Sequence, residues 1–133
     1  MVIKSSKELV DKALLEITTL NPDEVKKLKI SNQCTLIDIR DVREIWREGT
    51  IKDALHIPRG MLEFWLDPKS QYYNEEKFPK GKKLILFCAA GMRSALATKS
   101  LKEMGYENIA HVKGGFGSLV EEGFDVIKKE KKN

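Results

Sequence analysis

One cysteine of this sequence, Cys88, follows a run of four apolar residues that is typical of a strand buried on both faces. Small residues come directly after it, and a helix is predicted to begin at Arg93-Ser94 and to end at Gly105. The backbone N–H groups of residues 89–94 can therefore curl around the sulfur. Such a nest of N–H groups at a helix N-terminus stabilises an anion. The residues predicted to form this nest, called the cradle below, are Ala89, Ala90, Gly91, Met92, Arg93 and Ser94.

The anions that the cradle would hold are the Cys88 thiolate and the oxyanion or persulfide that the sulfur attacks or carries. Arg93 would add a permanent positive charge near the start of the helix. A cysteine at the end of a buried strand is also an ordinary core residue, because free cysteine behaves as a small hydrophobic side chain. A core cysteine, however, needs neither small residues nor an arginine and a helix start directly after it. The pattern therefore favours a reactive thiol.

A second pair of chemical groups, Asp38 and Arg40, stands at the end of a strand predicted over residues 35–40. Side chains at positions i and i+2 leave a strand on the same side. This carboxylate and guanidinium can therefore hold neighbouring loops by charge-assisted hydrogen bonds. We interpret the pair as a support for the site and not as catalytic groups. Asp41 is then predicted to cap a short helix that closes at Gly49.

A third candidate, Arg59, directly follows Pro58 and opens another predicted helix. An arginine in such a loop is a candidate for the rim of the active-site mouth, where its charge would attract an anion. The apolar residues of this helix are predicted to belong to the core and not to a cofactor-binding face. They are Met61, Leu62, Phe64, Trp65 and Leu66.

The loop from Cys88 to Ser94, with Gly91 and Arg93 inside it, resembles the active-site loop of single-domain rhodanese-like sulfurtransferases. In that family the cysteine takes a sulfane sulfur and carries it as a persulfide. The resemblance covers roughly residues 17–127 and implies that Cys88 is the catalytic nucleophile and that no metal or organic cofactor takes part. The expected reactants are a donor such as thiosulfate or a persulfide, including a protein persulfide, and a thiol or cyanide as acceptor.

Other stretches are similar to motifs of that family and come in the same order. The Asp38-x-Arg40 pair is one, and residues 49–58 form another, except that Thr50 replaces a histidine of many members. The paired glycines before Phe116 resemble the family's strand-to-helix turn. Many members place a tryptophan shortly afterward, and Phe116 or Leu119 must fill that space here.

Alternating strands and helices with short connections predict an α/β fold with a mostly parallel sheet covered on both faces. In such sheets, sites gather beyond the carboxyl ends of the strands, where Cys88 is predicted to lie. The resemblance implies a rhodanese-like three-layer sandwich with about five strands and helices on both faces. We predict an N-terminal helical extension over residues 1–16, a rhodanese-like domain over 17–127 and a lysine-rich tail over 128–133.

Local signals complete this outline. Ser5 to Glu8 predict the cap of a first helix, and Asn21 to Glu24 predict a second helix that ends near Leu28. Residues 67–81 are predicted to form a surface loop, and Gly123 is predicted to end the last helix. The residues predicted to form the apolar stripe of the first helix are Leu9, Ala13, Leu14 and Ile17.

Composition narrows the classes of function. The chain has 133 residues, 41% of them hydrophobic and 33% charged, with a formal net charge of +4, as expected for one globular domain. The lysine-rich tail is predicted to be solvated and not to bind nucleic acid, because no aromatic platform accompanies it. No apolar run predicts a membrane span or a signal peptide, so we expect a cytoplasmic protein.

The remaining cysteine and histidines do not predict a metal site. Cys34 begins an apolar run and is predicted to be core, and His56 and His111 are predicted to be structural or rim residues.

Two other classes of function share parts of this pattern. Cysteine phosphatases and some arsenate reductases use a similar cradle, but the related phosphatases have five residues between cysteine and arginine, whereas four separate Cys88 from Arg93. The smaller ring suits a single sulfur better than a tetrahedral phosphate. A non-enzymatic persulfide carrier or a regulatory rhodanese-like binding module is the second alternative. The retained cysteine favours an active thiol over the binding module.

Overall fold

The computed structural model describes residues 2–73, 75 and 81–131. Its strands are β1 (Thr19–Leu20), β2 (Cys34–Asp38), β3 (Thr50–Ile51), β4 (Leu55–His56), β5 (Lys83–Phe87), β6 (Ile109–Val112) and β7 (Val126–Ile127). Its α-helices are α1 (Ser6–Glu16), α2 (Pro22–Ile30), α3 (Val42–Glu48), α4 (Leu62–Trp65), α5 (Met92–Glu103) and α6 (Gly115–Glu121), and a 3-10 turn over Arg59–Met61 precedes α4. No described helix is long and apolar enough to cross a membrane.

Five strands form one parallel sheet in the order β1-β6-β5-β2-β4, and β3 pairs with β7 in a separate antiparallel ribbon. Helices cover both faces. Leu84 and Leu86 of β5 face a core that α4 and α5 complete, whereas Ile85 and Phe87 face a second core that α2 and α6 complete. The alternation explains why β5 is apolar at every position after Lys83. The α/β fold with about five parallel strands and two helical layers is confirmed.

Helix α1 lies on α5 and adds a small third cluster. Ser5 caps α1 as predicted, because its hydroxyl accepts the Glu8 N–H at 3.0 Å. The predicted apolar stripe is partly wrong, since Leu9 and Leu14 are 45% and 40% exposed. Val10 takes the place of Leu9 on the buried face and Leu14 is left outside it, because only a narrow face of α1 meets the small Ala95 of its partner helix. The residues of α1 and its end that face α5 are Val10, Ala13 and Ile17.

One further expectation changes in the region of α4. Phe64 was predicted to be core but is 53% exposed, because α4 has a single turn and turns only Leu62 and Leu66 fully inward. Phe64 instead contacts Tyr72 edge to face at 6.4 Å. The surface loop predicted over residues 67–81 lies partly outside the described residues.

A short strand precedes the predicted lysine-rich tail. Strand β7, which the sequence did not indicate, holds residues 126–127 against β3. Beyond it, residues 128–131 are exposed, and the Lys131 ammonium lies 5.6 Å from the centre of the Trp46 ring.

The turn between β6 and α6 docks on the chain that follows β5. Gly115 has a φ of +63°, and a Cβ atom there would lie 2.5 Å from the Cys88 carbonyl oxygen and 2.7 Å from that of Ala89. The next residue, Phe116, donates its N–H to the same Cys88 oxygen at 2.8 Å. Only glycine allows both the left-handed backbone and this close approach.

A buried histidine joins the edge strand to the sheet. His111 of β6 is opposite Thr19 of β1, and its side chain is within 2.9 Å of the Thr19 hydroxyl. Burial lowers the pKa of His111 from 6.5 to about 4. The ring is therefore neutral in the folded protein at pH 7.

We predict that Gly115→Ala lowers the free energy of unfolding by more than about 2 kcal/mol, because of strain and the clash with the Cys88 and Ala89 carbonyls. Gly117 of the same helix is the matched control, since a Cβ atom there meets nothing within 4 Å. Gly117→Ala should be neutral or raise stability by up to about 1 kcal/mol. Urea denaturation measures both, and equal losses would contradict the account of the turn.

We also predict that acid destabilises the fold through His111. In the unfolded chain this histidine takes a proton near pH 6.5, whereas in the folded protein it does so near pH 4, so the unfolded state holds more protons in between. This contribution is fully present above pH 6.5 and falls by about 2 kcal/mol by pH 4.5. Urea denaturation at pH 7 and pH 4.5 should show a smaller loss for His111→Phe than for the wild type, and an equal loss would contradict the prediction.

Candidate active site

Cys88 lies directly after β5, at the carboxyl edge of the sheet, and only 1% of its surface is exposed. Its Sγ atom accepts the N–H of Gly91 at 3.1 Å and the N–H of Ser94 at 3.3 Å. The Ser94 hydroxyl oxygen is 3.5 Å from the same sulfur. Gly91 has a φ of +111°, which turns the loop back over the sulfur before α5 begins. The sulfur thus sits among N–H donors at the N-terminus of a twelve-residue helix.

The cradle is narrower than the six residues the sequence suggested. Among the described residues, the N–H donors within hydrogen-bond distance of Sγ are those of Gly91 and Ser94. Ala89 and Ala90 are exposed, and Met92 is 63% exposed, so these three form the surface of the loop. Helix α5 begins one residue earlier than predicted, at Met92.

The charge of Arg93 is neutralised by a carboxylate. Its guanidinium donates two hydrogen bonds to Glu44 of α3, at 2.8 Å and 2.9 Å. These bonds hold the pKa of Glu44 below its usual range and raise that of Arg93. Arg93 thus brings a permanent positive charge to the start of α5, and Glu44 is its ion-pair partner. The pair also clamps α3 to the start of α5.

Asp38 and Arg40 are completely buried and bound to each other. The Arg40 side chain donates to Asp38 from Nε at 3.0 Å and from Nη2 at 2.8 Å, and Nη2 also donates to the Gly49 carbonyl at 2.7 Å. The guanidinium lies 4.1 Å from the centre of the Phe116 ring. Asp38 also accepts the Thr50 hydroxyl at 2.7 Å. These contacts fit the supporting role expected from the sequence, and Thr50 stands in the place of the family's histidine as a hydrogen-bond donor.

The space expected for a tryptophan after the paired glycines is filled by the two residues named for it. Phe116 stacks on Phe87 with ring centres 6.5 Å apart, and Leu119 is fully buried in the same core.

The charge of Arg59 is paired. Its guanidinium donates to the Glu63 carboxylate at 2.8 Å and 2.9 Å and is 3.3 Å from the Ser100 hydroxyl. Ser100 stands six residues after Ser94 in α5, which is about 9 Å farther along the helix axis. The i, i+4 pair with Glu63 thus binds the guanidinium expected to attract an anion, and a role of Arg59 at the mouth stays a prediction.

The two histidines have different surroundings. His56 binds the Arg40 carbonyl through Nε2 at 2.7 Å, which is a structural contact. His111 is 2% exposed, and its Nδ1 atom is 2.9 Å from the Ser94 hydroxyl, which also neighbours Cys88. The sequence reading missed this link to the site. A polar residue in an otherwise apolar strand was the one signal that could have shown it.

Cys34 is half-buried at the other end of β2. It is opposite Lys83, five residues before Cys88, so the two thiols are about 16 Å apart along the strands. Among the described residues, no group of three or more histidine, cysteine, aspartate or glutamate side chains is arranged to hold a metal ion.

Comparison with known proteins agrees with this geometry. Residues 21–122 match the family model of the rhodanese-like domain. A protein of unknown function from Rhodopseudomonas palustris CGA009, described as a possible tyrosine phosphatase, is 39% identical with a TM-score of 0.88, over 96% of this chain and 97% of that one. The polysulfide-sulfur transferase homodimer of Wolinella succinogenes is 31% identical with a TM-score of 0.72, over 92% of this chain and 87% of that one.

Among curated proteins, a tRNA uridine(34) hydroxylase of Prochlorococcus marinus (strain MIT 9215) is 33% identical over 131 residues, which cover 90% of this chain and 41% of the relative. The chain spans between 33% and 58% of the length of the first curated relatives that it matches. The family match, by contrast, extends from the start of α2 to the end of α6 and includes Cys88 with its whole cradle. This chain belongs to the rhodanese-like domain family.

Proposed function

We propose that this protein is a sulfurtransferase that carries a sulfane sulfur on Cys88 as a persulfide between a donor and an external acceptor. The observation that carries the proposal is the Cys88 sulfur itself, which accepts two backbone N–H groups at 3.1 Å and 3.3 Å at the start of α5. Fixed N–H donors stabilise a sulfur anion whether the negative charge lies on the cysteine sulfur or one atom farther out.

The reaction takes place in two displacements at sulfur. The Cys88 thiolate attacks the outer sulfur of the donor, a new S–S bond forms, and the donor's S–S bond breaks, so that a thiolate or sulfite leaves with the electron pair. An acceptor thiolate or cyanide then attacks the outer sulfur of the persulfide, and Cys88 leaves as a thiolate. Atoms and electrons balance without a metal or organic cofactor.

The acceptor is a separate molecule in this proposal. Cys34 is the one other cysteine of the chain, and about 16 Å of parallel strand separates it from Cys88. It cannot attack a persulfide on Cys88 without unfolding the sheet.

The pairing of Arg93 with Glu44 favours a sulfur donor with little charge. Thiosulfate is a dianion and gains most from an unpaired guanidinium, but both nitrogens of Arg93 that face α3 are bound to Glu44. Ala89 and Ala90 add no charge to the exposed loop. A persulfide on a small molecule or protein is therefore the proposed donor class, with thiosulfate a weaker one.

A cysteine phosphatase is the second candidate, because the similar protein of Rhodopseudomonas palustris is described as a possible tyrosine phosphatase. Two features disfavour this reading. Four residues separate Cys88 from Arg93, which leaves a ring suited to one sulfur, and Glu44 occupies the guanidinium that a phosphate would need. Hydroxylation of tRNA uridine(34) is named for longer relatives, of which this chain matches 41% in one case, so the proposal is based on the cysteine site alone.

We predict that incubation with a polysulfide or an alkyl persulfide adds one sulfur, about 32 Da, to the wild type and to Cys34→Ser but not to Cys88→Ser, as measured by intact mass. Subsequent cyanide should remove the added mass and release thiocyanate. The Cys34→Ser variant is the matched control, because it removes a thiol and leaves the cradle untouched.

Two outcomes of that experiment would contradict the proposal. If no donor, including thiosulfate, adds sulfur to the wild type, the binding-module reading replaces it. If the wild type hydrolyses a small aryl phosphate and Cys88→Ser does not, while no persulfide forms, the phosphatase reading replaces it.

We further predict that Glu44→Gln raises kcat/KM for thiosulfate by about three- to tenfold relative to an alkyl persulfide, and that added salt reduces the gain. The variant frees the Arg93 guanidinium to attract a dianion. Glu121→Gln is the control, because it removes one negative charge from an exposed residue of α6 and leaves the pair of Arg93 and Glu44 intact. Equal gains in both variants would show a general charge effect and contradict the role given to Glu44.

A further inference from the structure

A chain of side chains leads from the buried sulfur to the protein surface. The Cys88 sulfur is 3.5 Å from the Ser94 hydroxyl, which is 2.9 Å from Nδ1 of His111. Nε2 of the same ring is 2.9 Å from the hydroxyl of Thr19. Ser94 and His111 are buried, whereas Thr19 on the edge strand β1 is exposed. These hydrogen-bonded side chains therefore connect a sulfur that is 1% exposed with the solvent around Thr19.

Counting the hydrogens gives this network two complete arrangements, and the Gly91 carbonyl at 3.3 Å is a further acceptor for the Ser94 hydroxyl. With a thiol, the S–H donates to Ser94, the Ser94 O–H donates to Nδ1, and the Nε2–H donates to Thr19. With a thiolate, each bond reverses: the Thr19 O–H donates to Nε2, the Nδ1–H donates to Ser94, and the Ser94 O–H donates to sulfur. The reversal needs an imidazole that is neutral and can carry its proton on either nitrogen.

We propose that His111 is a positioning residue for Cys88, which turns the Ser94 hydroxyl toward the thiolate and relays the thiol proton to solvent through Thr19. The inference rests on Cys88 being the reacting thiol of the proposed function.

Every proton in this relay is accounted for. The Cys88 proton passes to Ser94, the Ser94 proton to Nδ1, the Nε2 proton to Thr19 and the Thr19 proton to water. The sulfur gains one negative charge, the other three groups stay neutral, and nothing is oxidised or reduced. The next donor sulfur then meets a thiolate that accepts three donors: the N–H groups of Gly91 and Ser94 and the Ser94 hydroxyl.

The surroundings of His111 suit a neutral relay. Burial alone lowers its pKa, and no charged side chain contributes to the shift. The titratable groups at the ends of the elements around it are Cys88 after β5, Arg93 in α5 and Lys113 after β6. Arg93 is paired with Glu44, and Lys113 is exposed. On β1 the facing group is the uncharged Thr19.

The test measures the rate at which Cys88 reacts with iodoacetamide between pH 5 and pH 10, by intact mass, in a Cys34→Ser background and without any sulfur donor. His111→Phe keeps the ring size and removes both hydrogen bonds. We expect about fivefold slower alkylation at pH 7 and a profile displaced toward higher pH, as for the loss of one hydrogen bond to the thiolate. His56→Phe is the matched control, because His56 binds the Arg40 carbonyl and not the cradle. It should leave the profile unchanged.

A second variant keeps the proposal testable if His111→Phe does not fold. Thr19→Val keeps the shape of the side chain, removes the hydroxyl that binds Nε2 of His111, and should also displace the profile. His111→Asn, whose amide can still donate to Ser94, should restore part of the rate. Profiles of the folded His111→Phe or of Thr19→Val that match the wild type overturn the inference. Because no sulfur donor is present, this result is separate from failure of the persulfide to form, which would overturn the proposed function.

Discussion

The buried ion pair of Asp38 and Arg40 holds together the edge of the sheet on which the site is built. Burying two charged side chains away from water costs free energy of folding, unless almost every donor and acceptor of the pair finds a hydrogen-bond partner. Here the Asp38 carboxylate accepts the Arg40 side chain and the Thr50 hydroxyl, and Arg40 reaches the Gly49 carbonyl and the Phe116 ring. The pair thereby joins the end of β2 to the turn after α3 and to the first residues of α6. Both of these neighbours matter to the cysteine.

From this anchor, two routes lead to Cys88. Along one route, α3 is fixed at its C-terminal turn and presents Glu44 from its first turn to Arg93, which holds the start of α5. Along the other, α6 is fixed through Phe116, whose backbone N–H binds the Cys88 carbonyl. The sulfur itself contacts neither charge of the ion pair. Its surroundings are backbone N–H groups and a neutral hydroxyl, so the strongest charges of the region shape the cradle without entering it.

Much of this arrangement could be predicted from the sequence, because local signals and chemistry coincide. The apolar strand before Cys88, the capping residue Asp41 and the motif of Asp38 and Arg40 each predict structure over a few neighbouring residues, and the structure has the strand, the cap and the ion pair. The α/β fold followed from the alternation of elements. Short-range rules suffice for such features.

What the sequence reading missed depends on contacts between distant residues. The partner of Arg93, Glu44, is 49 positions away. The partner of Arg59, Glu63, is instead only four positions away, at a spacing that local helix rules cover. The link from His111 to Cys88 joins β6 to α5 and β1, which no local pattern shows. The exposure of Phe64 on α4 and of Leu9 and Leu14 on α1 has the same cause. A helix shows its apolar residues in the sequence, but its neighbour decides which of them are covered.

The two thiols lie at opposite ends of the paired strands β2 and β5. This placement affects how the protein responds to oxidation. A disulfide requires Cα atoms within about 7 Å, so Cys34 and Cys88 cannot form one inside a single folded chain. An oxidised Cys88 sulfenic acid would have no internal partner to trap it and must be rescued by a thiol from solution before it reaches the irreversible sulfinic state. Under the proposed function, a thiol acceptor that removes the persulfide sulfur would thus also reduce the sulfenic acid, and both processes would slow together when that thiol is depleted.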